Sequence, residues 1–248
     1  MPFWHIVPAL LSLLSLAAFT VAETDDPVLS NERVVFQLDQ GDIEFAFFPE
    51  VAPVTSAHIF QLVQLGLYES NQIFRVDKGF VAQTSDVVSG RLLALNPQQQ
   101  EFASKQVPLE VKEGVKHHEG VLSMGRYEDP NTGTSSFSML LGDAPHLDMQ
   151  YTIFAKIVNP EGMAVLHKLE KVETKQEGIF VMPLKRITIT GTYWYILGKP
   201  MPGLTLPGDT AMAIRKEDAG CSAKFKDLKQ RFLALAEELE TIRKKSLP

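Results

Sequence analysis

The stretch Ile73-Phe74-Arg75-Val76-Asp77-Lys78-Gly79-Phe80-Val81-Ala82-Gln83 sets an arginine, a phenylalanine and a glutamine into an apolar, strand-like run. Side chains of a regular strand alternate between faces, which would put Phe80 and Gln83 on opposite sides. Gly79 offers a place to bend. A bend there brings a cation, an apolar ring and an amide to one surface.

Working outward, Val34 to Leu38 and Ile43 to Phe48 are β-rich runs separated by Asp39-Gln40-Gly41-Asp42, a hairpin signal. Pro49 and Pro53 stop the second run. From Pro53 to Leu65 the apolar residues Ile59, Leu62, Val63 and Leu65 recur at helical spacing, with proline suited to the first turn and Gly66 to the end. Asp86 to Glu119 reads as a long, mostly surface loop carrying Gln98-Gln99-Gln100 and His117-His118. Gly120 to Met124, Phe137 to Leu141, Thr152 to Val158 and Ile187 to Thr190 are further strands, and Glu161 to Lys171 is a second helix. Many short strands with two helices predict a mainly β fold: a closed eight-stranded antiparallel barrel with helix-capped ends, followed by a C-terminal linker and helix.

The decisive run resembles the active-site pattern of the cyclophilins, peptidyl-prolyl cis-trans isomerases, written roughly F-H-R-V-x-x-G-F-x-x-Q. Arg75, Val76, Gly79, Phe80 and Gln83 match it, while Ile73-Phe74 stand at its first two positions. Phe48-Pro49-Glu50-Val51-Ala52-Pro53, Gly120-Val121-Leu122-Ser123-Met124, Pro130-Asn131-Thr132, Leu147-Asp148 and Tyr151-Thr152-Ile153-Phe154 are similar to landmarks of that family in the same order. The likeness covers residues 30–192.

That resemblance implies catalysis of rotation about X-Pro bonds in client proteins, without cofactor or metal. The amide barrier is about 18–20 kcal/mol, because the nitrogen lone pair is delocalised into the carbonyl. Shortening exchange from tens of seconds to milliseconds needs roughly 10⁴-fold, or about 5.5 kcal/mol of transition-state stabilisation. No bond breaks, so no nucleophile is required. In the twisted transition state the prolyl nitrogen regains a lone pair that can accept a hydrogen bond. By resemblance Arg75 is the donor, Phe80 the floor of the proline pocket and Gln83 the holder of the substrate backbone. Arginine stays charged, so the rate is expected to be flat across neutral pH.

The same alignment puts Val81, Gly125, Arg126, Ser138, His146, Leu147 and Tyr151 along the substrate groove. Ser138 falls where the family usually has a second phenylalanine, His146 at its tryptophan and Tyr151 at its histidine. Losing the indole predicts weakened cyclosporin binding. Losing the phenylalanine leaves a rival reading open, a proline-segment binding module with little turnover docked through its C-terminal helix.

Composition sets the class. The chain has 248 residues, 45% hydrophobic and 22% charged, as ordinary core-forming proteins do. A net charge of −6 argues against a nucleic-acid binder. Cys221 is the sole cysteine, so there is no intrachain disulfide and no cysteine pair for redox or zinc chemistry. His117-His118 lacks a third ligand pattern and reads as solvated loop; His58 and His167 lie on helix patterns as surface or packing residues.

Residues 1–22 carry no Lys, Arg, Asp or Glu, and their leucine- and alanine-rich run ends in Thr20-Val21-Ala22 before Glu23-Thr24-Asp25-Asp26. This reads as a cleavable signal peptide, leaving no stable membrane span after removal and placing the protein in the secretory pathway: ER lumen, endomembrane or secreted. A buried helix and an uncleaved anchor are the alternatives. Residues 193–216 are a Pro/Gly-rich linker. In 217–246, Phe225, Leu228, Phe232, Leu235, Leu239 and Ile242 alternate by threes and fours on a Lys- and Glu-rich helix. That seam either folds back on an apolar surface or pairs with a partner or second copy.

Overall fold

The structure, a computed structural model, describes residues 27–199. The signal-peptide reading of 1–22 and the amphipathic helix at 217–246 lie outside them, as does the linker from residue 200 onward.

The chain opens with the hairpin of β1 (Glu32–Leu38) and β2 (Gly41–Phe47). Helix α1 (Pro53–Gln64) begins with proline at its first turn and buries Ile59, Leu62 and Val63. Two of its otherwise unpaired N-terminal amides, on Val54 and Thr55, donate to the Glu110 carboxylate at 3.0 and 2.8 Å. Strands β3 (Gln72–Asp77) and β4 (Val81–Thr84) follow. Next come α2 (Pro97–Ala103), β5 (Val121–Met124) and β6 (Phe137–Leu140). A 3₁₀ turn (Pro145–Leu147) leads into β7 (Ile153–Ile157) and α3 (Pro160–Glu170), which Asn159 caps through its side chain. Then come β8 (Thr174–Glu177), β9 (Phe180–Pro183), β10 (Ile187–Thr188) and β11 (Gly191–Ile196).

Nine strands form one antiparallel sheet in the order β10-β3-β4-β6-β5-β7-β2-β1-β11, and β8 pairs only with β9. The core is aromatic. Phe36 meets Phe45 edge-on at 5.3 Å, and Phe137 meets Phe154 at 5.4 Å, with Tyr68 buried among them.

Four expectations are corrected. The sheet is a curled nine-stranded half-barrel, not a closed eight-stranded barrel. Its edge strands β10 and β11 are consecutive in sequence, but no ladder joins them; Ile189 donates to the Asn71 carbonyl and Thr190 to that of Gln37, each at 2.8 Å. There are three α-helices among the described residues, because Pro97–Ala103 inside the expected surface loop forms a capped turn. The segment 193–196, expected as linker, is the end of β11, which extends the sheet along β1. Last, the run from Ile73 to Gln83 is a hairpin rather than one bent strand. Gly79 has φ +71, and Phe80 N–H donates to the Asp77 carbonyl at 2.9 Å, so the chain reverses.

Candidate active site

That reversal assembles the site. Arg75 of β3 stands directly opposite Gln83 of β4, Gln83 opposite Ser138 of β6, and Ser138 opposite Ser123 of β5. Residues directly opposite in a ladder share a face. Four neighbouring strands therefore present one transverse row, and all four side chains line a single cavity of about 710 Å³. Helix α3 steadies the turn at its edge: the Glu170 carboxylate accepts from Gly79 N–H at 2.9 Å.

The guanidinium of Arg75 is held on one side. Its Nη2 donates to Asp77 Oδ2 at 2.9 Å, in a pair only partly exposed. Its Cζ lies 5.3 Å from the Phe80 ring centroid and 5.9 Å from that of Phe180. Nε is buried with no hydrogen-bond partner among the described residues. Gln83 is anchored through its amide, which donates to Ser136 Oγ at 3.2 Å, and that hydroxyl donates to the Thr84 carbonyl at 2.7 Å. The Gln83 carbonyl is left to accept. Gly125 gives this amide room: a Cβ there would meet Ser136 O at 3.0 Å and Gln83 Nε2 at 3.3 Å.

The far wall is built from loops. Arg126 lies over the Tyr151 ring, with Cζ 4.3 Å from its centroid, and donates to the carbonyls of Gln150, Tyr127 and Glu128. Behind the row runs a buried relay. Asp148 Oδ1 accepts from the His117 backbone N–H at 2.8 Å and contacts its Nδ1 at 3.0 Å, while Nε2 meets Ser123 Oγ at 2.9 Å. Burial lowers the His117 pKa below its ordinary value, against the upward pull of Asp148. The neutral ring thus donates through Nδ1–H to the carboxylate and accepts the Ser123 hydroxyl. For Asp148, burial pulls upward, but hydrogen bonds from His117 and the charge of Lys116 outweigh it and leave the pKa lowered. This chain ties the 3₁₀ turn to β5.

A family model described as "Cyclophilin type peptidyl-prolyl cis-trans isomerase/CLD" matches residues 33–193. The chain belongs to the cyclophilin family. It is 48% identical to the peptidyl-prolyl cis-trans isomerase CYP23 of Arabidopsis thaliana over 241 residues, covering 96% of this chain and 97% of that one. A probable peptidyl-prolyl cis-trans isomerase of Brucella abortus is 31% identical over 180 residues, 71% of this chain and 89% of the relative. Among solved structures, a cyclophilin-type isomerase of Cryptosporidium parvum shares the fold with a TM-score of 0.56 at 22% identity, over 70% of this chain and 100% of that one. A second crystal structure of that protein, in the presence of the dipeptide Ala-Pro, gives a TM-score of 0.53 at 23% identity, over 64% of this chain and 96% of that one. The chain is a cyclophilin-type peptidyl-prolyl cis-trans isomerase.

In this cyclophilin, Arg75, Phe80, Val81, Gln83, Gly125, Arg126, Ser138, Leu147 and Tyr151 all line the one cavity. His146 does not. It is exposed on the 3₁₀ turn and reaches the site only by stacking on Phe80, with centroids 5.5 Å apart at 31°. His117 is 2% exposed, so the reading of His117-His118 as solvated loop is corrected for the first of them. His58 is buried on α1 against the Thr134 carbonyl at 2.7 Å, a packing role. Sequence reasoning missed Ser123, Ser136, Ile179 and Phe180 as cavity residues. Ser123 sits inside the run Gly120–Met124, and Ser136 immediately before the strand read from Phe137. Gly178 between two short β-compatible runs was the signal for the last two.

Proposed function

We propose that this isomerase acts on exposed X-Pro segments of client proteins passing through the secretory pathway, with Arg75 donating to the prolyl nitrogen as the bond twists. The observation that carries the reading is the Arg75–Gln83 cross-strand pair, with the Phe80 ring 5.3 Å from the Arg75 guanidinium at the same cavity. Asp77 engages one Nη of Arg75, which fixes the fork while leaving the other Nη free to donate. A hydrogen bond of this kind exists only once the nitrogen is pyramidal, so it lowers the barrier without tightening the ground state. Phe80 takes the proline ring. The Gln83 carbonyl accepts from the backbone on the side that does not rotate.

The exposed His146 gives cyclosporin neither an indole N–H nor a full stacking face, which supports weak drug binding. The three-four apolar alternation of residues 217–246 supports association with a partner or a second copy, or folding back onto an apolar surface. Exchange NMR on Ala-Pro-containing peptides, comparing the mature protein with Arg75→Ala, tests the chemistry. N-terminal sequencing of the protein recovered from its own cells tests the address: a start just after Ala22 supports it, and a start at Met1 sinks it.

A further inference from the structure

The β8–β9 hairpin forms a two-stranded sheet of its own, with Glu177 opposite Phe180 and Gly178 at φ +60 in the turn. Its first strand is polar: Lys175, Gln176 and Glu177 are exposed, and Lys175 pairs with Glu177 at 2.8 Å, whereas the second, Phe180–Pro183, is apolar and half-buried. The tip is not. Ile179 is 83% exposed, and the next residue, Phe180, packs edge-on against Phe74 with centroids 5.4 Å apart. Ile179, Phe180 and Phe74 all line the active-site cavity. An exposed isoleucine by itself is ordinary, but turn tips favour Gly, Asn, Asp and Ser. Here the apolar tip continues an aromatic pair whose Phe180 also faces the Arg75 guanidinium. Phe74, moreover, stands where the cyclophilin pattern has histidine, and its partner is the hairpin's phenylalanine.

We propose that Ile179, Phe180 and Phe74 form an apolar subsite for an aliphatic or aromatic side chain next to the isomerised proline, on the Arg75 side of the groove. The subsite rests on the isomerase reading and deepens it, because it names the sequence class turned over best. An incoming apolar side chain covers Ile179 and the open edge of Phe180, removing from water surface that the free protein leaves exposed. Phe74 and Phe180 set the depth of the subsite, and Ile179 closes its mouth.

The test is exchange NMR of short X-Pro-Z peptides, with X and Z varied in turn through Gly, Leu, Phe and Glu, on the full chain and on Ile179→Glu and Ile179→Lys. The parent is expected to favour Leu or Phe over Gly at one flanking position by about tenfold in kcat/KM, the scale of one side chain half buried. That ratio should fall to about one or two in the Glu variant. Peptides with Glu at that position should be turned over about fivefold faster by the Lys variant than by the Glu variant at low salt, while the two variants turn over Gly-flanked peptides equally, a split that misfolding cannot produce. If Gly-flanked peptides are turned over while the Leu-to-Gly ratio is the same in all three proteins, the subsite is wrong and the isomerase stands. If the parent accelerates no peptide, the catalytic reading itself fails and takes the subsite with it.

Discussion

Replacing Arg75 with alanine separates catalysis from folding, because the structure gives its side chain little net weight in stability. The Arg75–Asp77 pair is partly solvated, its two side chains 20% and 36% exposed, and pairs of this kind contribute about 0–1 kcal/mol. Contacts with the Phe80 and Phe180 rings add about 0.5–1 kcal/mol. Against these stands the buried, unpartnered Nε–H, whose desolvation costs about 1–3 kcal/mol and disappears with the side chain. The terms nearly cancel, so the stability change is expected to stay within about 1 kcal/mol, a shift of no more than about 4 °C in Tm. Activity should behave differently. Losing a preorganised charged donor to the transition state costs about 10²–10³-fold in rate, roughly 2.7–4 kcal/mol of the ~5.5 kcal/mol that millisecond turnover needs. Arg75→Lys keeps the charge but loses the planar fork that Asp77 holds, and should fall between parent and alanine. The assays are exchange NMR or a protease-coupled rate on an Ala-Pro peptide, run beside thermal unfolding. A folded Arg75→Ala protein that keeps activity within about threefold of the parent would refute the donor role.

Three further outcomes are expected. His58 and His117 are both held below their ordinary pKa by burial, so the unfolded chain takes up protons first as pH falls. Their stability contribution is whole above about pH 6.5 and declines below it, by up to about 1.4 kcal/mol per pH unit for each group until its folded pKa is passed. Urea midpoints from pH 8 to 5 would show this, His117→Asn should flatten the slope, and a pH-independent midpoint would contradict it. Ser138→Phe adds a ring to the cavity wall between Gln83 and Ser123 and should tighten proline-peptide binding by about tenfold in an NMR titration; unchanged affinity would mean the wall is not missing. Gly79→Ala meets no atom within 4 Å but must hold φ +71, so it should cost about 1–2 kcal/mol in urea, and a loss beyond 3 would reveal a packing role absent from the structure.

Helical spacing made α1 and α3 legible, and apolar, β-forming runs between turn signals did so for β1, β2 and β5 to β7, although β5 is buried at every residue and does not alternate. Helix α2 escaped because seven residues with only Phe102 and Ala103 on the apolar side cannot display a period. Its mark is instead the reciprocal bonding of Asn96 and Gln99 around Pro97, which is local chemistry present in the sequence. The β8 run Thr-Lys-Gln-Glu is solvated and polar throughout, so nothing in it alternates. Strand β11 was hidden by the proline-rich stretch that follows, although Thr192-Tyr193-Trp194-Tyr195-Ile196 is strongly β-forming. In the site, resemblance picked out Arg75, Phe80 and Gln83, and the structure brings all three to one cavity. The partner of His117 was not, because Asp148 lies 31 residues further on and only the fold brings them together.

The site also divides by how its residues are held, and that division explains where this chain departs from the family pattern. Arg75 and Gln83 stand on the row and are placed by strand register, and Gly125, just past β5, is held by its N–H donating to the Ser136 carbonyl at 2.8 Å. The residues that differ sit around them, and most make a ring contact: Phe74 with Phe180, His146 with Phe80, and the Tyr151 ring with the Arg126 guanidinium. Each pairing keeps a neighbour of the row in place with a different side chain. Ser138 is the exception, lying on the row itself with strand neighbours and no ring contact, so the space a phenylalanine would fill stays part of the cavity. Arg75 and Gln83 thus stand on the strands beside a pocket left open at Ser138, with the apolar Ile179 and Phe180 at its rim.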